Sequence, residues 1–214
     1  MSLAPNKTYL VWSGTEFPNS TSAAFKAPAG STIDWGDGTV ETFATASTTV
    51  NTHTYTDGKT EHTIAISGLT SIGNEAFRYC SNLKSVTIGN GVTSIVVSAF
   101  RYCSNLKSVT IGNSVTSIDN LAFSNCTKLT QLILFPSIPP TLGSNAIPST
   151  IQSIYVQQSS KAAYQAATNW TAFANKIVSD NIYLSFVRFN QKNKEYINAK
   201  IEELKQYIDS KLLG

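Results

Sequence analysis

Apolar and polar positions along residues 68–134 follow a beat of 23, with units beginning at Gly68, Gly91 and Ser114. Within a unit the rhythm changes. Leu83, Val86 and Ile88 mark a strand through the alternation of Val86 and Ile88, Val92 and Ile95 follow, and Ala99, Phe100 and Cys103 carry the helical spacing of a short turn. Gly89, Asn90 and Gly91 punctuate the end of the strand. The stretch AFRYCSNLKSVTIGN occurs twice verbatim, at 76–90 and 99–113. A catalytic site is one constellation of unlike groups, so copying a segment whole adds little chemistry, whereas a stacked scaffold gains a layer. The pattern therefore predicts a solenoid in which Leu83, Leu106 and Leu129 form one buried row and Phe77, Phe100 and Phe123 another, because a single unit cannot bury its own apolar edge.

The strand and return segment match the leucine-rich repeat pattern. A fourth, degenerate strand is expected at IQSIYV, with Ile151, Ile154 and Val156 in the places of Leu129, Leu132 and Leu134. A fifth is expected upstream at HTIAIS, with Ile64 and Ile66 aligned on Val86 and Ile88. The unit SVTSI-x-x-x-AF-x-x-C-x-x-L resembles the BspA-like leucine-rich repeats of bacterial surface proteins, and IYVQQSSKAAYQAATNWTAFANKI resembles that family's terminal unit, a strand followed by a helix, with Gln157 where the family usually has Pro. Residues 7–67 differ, reading as short strands between Gly, Asn, Ser and Asp turns. IDWGDGT followed by HTYTDGKTEHTIAI is similar to a polycystic-kidney-disease type β-sandwich, here abbreviated, sharing its last strand with the repeat sheet and covering its exposed edge. The expected fold is mainly β with short helices: residues 1–3 an expression scar, 4–67 a sandwich-like cap, 68–179 the solenoid with its terminal unit, and 180–214 a linker and amphipathic C-terminal helix.

Charge separates the last segment from the rest. Residues 188–214 carry six basic and four acidic side chains against ten and nine in the preceding 187. Ile197, Ile201, Leu204 and Ile208 recur at heptad spacing, which suits either a coiled-coil seam joining copies of the chain or an amphipathic helix docked on its own domain; the expectation is a homo-oligomer. The net charge of +3 is too small and scattered for a nucleic-acid partner, and no apolar run reaches the length of a membrane helix.

Candidate chemistry is sparse. Asp34 and Asp37 flank Trp35 and Gly36, an arrangement that offers oxygen ligands to Ca²⁺ or, alternatively, makes tight turns by accepting backbone N–H bonds. His53 and His62 lie in expected strands, no G-x-S-x-G elbow occurs and no C-x-x-C pair occurs, so no catalytic residue and no cofactor is predicted. Cys80, Cys103 and Cys126 are 23 apart and are read as a buried reduced ladder, with one disulfide between neighbouring layers as the other reading. On the concave sheet face the outward positions are Ser85, Thr87, Ser108, Thr110, Gln131, Ile133, Ser153 and Tyr155, with Lys84 and Lys107 at the strand starts. These are either a solvated face or the contacts of a binding surface. The resemblance implies a non-enzymatic, extracellular adhesion module at the bacterial surface that binds a host or cell-surface protein or glycan. The alternatives are a bacteriophage tail or baseplate component, placing it on a virion, and a surface hydrolase using Asp34 and Asp37.

Overall fold

The computed structural model of the protein describes residues 6–18 and 22–179. Six strands come first: β1 (Thr8–Ser13), β2 (Glu16–Phe17), β3 (Thr32–Asp34), β4 (Val40–Thr42), β5 (His53–Thr54) and β6 (Glu61–Ser67). The repeats then alternate short and longer strands: β7 (Ser71–Ile72), β8 (Leu83–Ile88), β9 (Ser94–Ile95), β10 (Ser108–Ile111), β11 (Ser117–Ile118), β12 (Gln131–Leu134), β13 (Thr141–Leu142) and β14 (Ser153–Val156). The helix α1 (Lys161–Ala166) and a last strand, β15 (Ile177–Ser179), close the described chain.

The longer strands build one nine-stranded sheet in the order β15-β14-β12-β10-β8-β1-β6-β3-β4, and the short ones a four-stranded sheet, β13-β11-β9-β7. All repeat strands pair in parallel with equivalent residues adjacent: Val86, Val109, Leu132 and Ile154 form one row, and Ile88, Ile111, Leu134 and Val156 the next. Both rows are buried. Between the sheets the Phe77, Phe100 and Phe123 rings stack with centroids 5.2 Å apart. Each such ring contributes about 1.5–3 kcal/mol by burial, with roughly 0.5–1.5 kcal/mol more from the stacked contact. The ladder extends one step further than the repeat pattern shows, because Phe25 of the N-terminal segment stacks on Phe77 at 5.2 Å.

Three local devices hold the layers in register. The hydroxyls of Thr93, Thr116 and Thr141 each donate to the carbonyl of the threonine one layer earlier, at 3.1–3.3 Å. Asn90 accepts from the Asn113 amide at 3.0 Å. Gly89 lets the chain entering β1 come close: a Cβ there would sit 2.5 Å from the Lys7 carbonyl oxygen. The return segment contains no helix in the first three units. It is a chain of i to i−3 turns, such as Ala76 N–H to Gly73 O and Cys80 N–H to Phe77 O, each 3.2 Å.

The strand beside the first repeat is β1, not the expected β6. β1 runs antiparallel to both β6 and β8, with Leu10 opposite Ile64 on one side and Val86 on the other. Ile64 thus keeps the predicted alignment on Val86, but across an inserted strand. A period-two pattern fixes which face a strand buries and leaves its neighbours open, and Thr8, Leu10 and Trp12 are buried in the same phase as Ile64 and Ile66. Strands β3 and β4 continue the sheet beyond β6, and β2 and β5 pair separately. At the other end Tyr164 and Trp170 are fully buried, their polar atoms donating to the Pro136 and Pro140 carbonyls at 3.0 and 2.8 Å. Gln157, in the family's proline position, donates to the Phe135 carbonyl at 3.0 Å.

Candidate functional site

On the outer face of the long sheet, parallel pairing sets the expected positions side by side. Thr87, Thr110, Ile133 and Tyr155 are consecutive partners, and Val178 of β15 lengthens this row by one. Tyr9 of β1 lies opposite Thr87 at the other end. The parallel row is Ser85, Ser108, Gln131 and Ser153, with Val11 opposite Ser85. Gln131 is exposed and the other seven predicted outward positions are half-buried in the sheet surface, Tyr155 among them beside Val178. Lys107 is exposed, whereas Lys84 is engaged in an ion pair with Glu61 of β6 at 2.7 Å. The face is polar and hydroxylated at β8 and β10 and becomes apolar and aromatic toward β12, β14 and β15.

Asp34 and Asp37 are held by their own turn. Asp34 accepts from the Gly36 amide at 3.0 Å and Asp37 from the Thr39 amide at 2.9 Å. Gly36 has φ +83°, and a Cβ there would meet the Thr63 carbonyl oxygen at 2.6 Å, so this turn requires glycine. The second oxygen of Asp37 lies 2.7 Å from His53 Nε2. Among the described residues no group of three or more His, Cys, Asp or Glu side chains is placed to hold a metal ion. His62 is buried, stacked on Tyr55 with centroids 3.6 Å apart, and its Nε2 faces Asp57 at 2.9 Å. Both histidines are therefore built into one aromatic stack, Trp35 on His53 and Tyr55 on His62, within the N-terminal segment.

Cys80, Cys103 and Cys126 are free and fully buried. The thiols of Cys103 and Cys126 donate to the carbonyls of Phe77 and Phe100, at 3.0 and 3.1 Å. Burial pushes the Cys80 thiol up to about 12, far from the range of a reactive thiolate. Ile197, Ile201, Leu204 and Ile208, on which the expected self-association depends, lie outside the described residues.

A profile of the BspA type leucine-rich repeat region, in six copies, matches residues 48–177, more than half of the chain. The chain belongs to the BspA-type leucine-rich repeat family. The match begins ahead of the first verbatim repeat and lends nothing to the sandwich resemblance of the N-terminal segment. No curated protein matches the chain. BspA-type repeats are usually non-catalytic and suggest a protein-interaction surface module. No helix of the described residues is long and apolar enough to cross a membrane.

Proposed function

We propose that this BspA-type protein is a non-enzymatic adhesion module of a bacterial cell surface that holds a protein or glycan partner on the outer face of its long sheet. The observation that carries this reading is the in-register row from Thr87 through Ile133 and Tyr155 to Val178, where the sheet changes from hydroxylated to apolar and aromatic. Aromatic anchors surrounded by short polar groups are the composition of interaction surfaces. Val178, on the edge strand β15, is 36% exposed and extends this apolar end of the row.

The test is solid-phase binding of the intact chain to immobilised extracellular-matrix proteins and glycans, compared with Ile133→Asp combined with Tyr155→Ala. Both positions are on the outer face, so the double variant is expected to fold and to lose binding about tenfold or more. Equal binding by the two proteins would place the contact elsewhere.

A further inference from the structure

Repeats are copies, so a position where the copies differ carries information that the scaffold does not. The return turn holds such a position at residues 79, 102 and 125, where φ is +59°, +64° and +60°. This left-handed conformation favours asparagine and disfavours bulky side chains. The third unit has Asn125 there, whereas the first two have Tyr79 and Tyr102. Duplication of the segment accounts for the recurrence of tyrosine but not for its presence in the original. Its rings do not fill the core: Tyr79 is 40% exposed. The two rings stack on each other at 4.6 Å and 1°, and the backbone locks that spacing, with Tyr79 N–H donating to Arg101 O at 2.8 Å and Tyr102 N–H to Ser124 O at 2.9 Å.

Each tyrosine is preceded by an arginine whose guanidinium carbon lies 4.9 or 4.8 Å from the ring centroid. The arginines differ in one respect. Arg78 pairs with Glu75 at 2.5 Å, but the equivalent of Glu75 in the second unit is Ser98, and among the described residues no carboxylate pairs with Arg101. Arg101 donates to the Tyr102 hydroxyl at 3.3 Å, and its Nε, like that of Arg78, is enclosed without a partner. Arg101 therefore keeps its ring contact but has no carboxylate partner among the described residues.

The tyrosine wall ends in a step. Beyond Tyr102 the third unit offers Ser124 and the exposed Asn125, joined by a 3.2 Å hydrogen bond, so the face of the Tyr102 ring turned toward that unit has short polar groups below it. We propose that this step is a binding site for a uronic-acid unit of an acidic saccharide. The flat C–H face of a pyranose lies on Tyr102 at the level a third tyrosine would have taken, its carboxylate meets the guanidinium fork of Arg101, and Ser124 and Asn125 meet its hydroxyls. An apolar peptide side chain fits less well, because the groups beside the ring, Ser124 and Asn125, are hydrogen-bonding. The site is on the turn side of the solenoid and stands independently of the outer sheet face.

The experiment is an NMR titration of the intact chain with tetragalacturonate, with neutral cellotetraose and an Asp-Tyr peptide as comparators. Saturable shifts at Arg101, Tyr102, Ser124 and Asn125 are expected for tetragalacturonate. Tyr102→Asn and Arg101→Gln should each weaken it about tenfold or more. Asn suits the backbone at 102, so the Tyr102→Asn unfolding midpoint should not fall, which separates lost binding from lost folding. Asn125→Tyr fills the step and should abolish the shifts. Absence of saturable shifts, equal binding of cellotetraose, indifference to both variants, or tighter binding of the peptide would each overturn the proposal.

Discussion

Asp37 shows how far a single carboxylate can be committed to structure. Burial acts to raise its pKa, but the His53 ring and the Thr39 amide pull the other way and together hold it at about 2, below its ordinary 3.8. A depressed folded value means that the carboxylate stabilises the fold above pH 3.8 and that this contribution is lost as the pH falls toward 2. Asp57, held down by His62 and Lys59, works in the same direction. Asp37→Asn is therefore expected to lower the unfolding midpoint at neutral pH by about 2–4 °C, equivalent to roughly 1 kcal/mol once solvent screening is allowed for. Thermal melts between pH 7 and 2 test this: the variant's deficit should shrink through the acid window. Parallel curves for the two proteins would show that the Asp37 and His53 pair contributes nothing to folding. The same contacts explain why the DWGDGT turn looks like a ligand site in the sequence. Residue types that hold Ca²⁺ also satisfy amides in tight turns, and here Asp34 accepts from Gly36 while Asp37 accepts from Thr39 and faces His53.

Whether an element could be read from the sequence depended on whether its neighbours repeat. The Phe77, Phe100 and Phe123 row, the match of Ile154 to Leu132 and the cysteine row follow from the period of 23, because equal spacing along the chain becomes vertical stacking in parallel pairing. The joints to non-repeating chain were hidden. Phe25 continues the phenylalanine ladder from a segment with no repeat signature, β1 inserts antiparallel, and β15 pairs through three described residues of an unremarkable sequence. Tyr79 and Tyr102 are not marked by the apolar period; what marks them in the sequence is Asn125 in the equivalent place of the third unit. The cysteine row gives the prediction at this scale. Cys80, Cys103 and Cys126 are enclosed, and burial raises the first two well above the ordinary thiol value. Labelling of the native chain with a maleimide should proceed at the rate of unfolding, and addition of denaturant should expose all three sites to mass-spectrometric detection. Rapid native modification of any one would mean that its layer opens locally.

In the whole molecule, stability passes from layer to layer, and β1 is the joint through which the N-terminal strands and the repeats share one sheet. Leu10 is fully buried between Ile64 and Val86, so Leu10→Ala removes packing from both sides of the joint and should cost about 2–5 kcal/mol. In a quasi-one-dimensional stack that loss weakens one interface and leaves the intrinsic stability of units farther away intact. The Phe25 and Phe77 stack still links the two parts, so the N-terminal strands are expected to loosen rather than detach. Native-state hydrogen exchange resolves this residue by residue. In the intact chain the slowest amides of β6 and of β12 should open with the same free energy, as one cooperative unit. In Leu10→Ala the β6 amides should exchange through a lower opening free energy than those of β12, and protection at Leu132 and Leu134 should change least. An equal loss at both strands would mean that the nine-stranded sheet unfolds as a single body and that the layer-by-layer account is wrong.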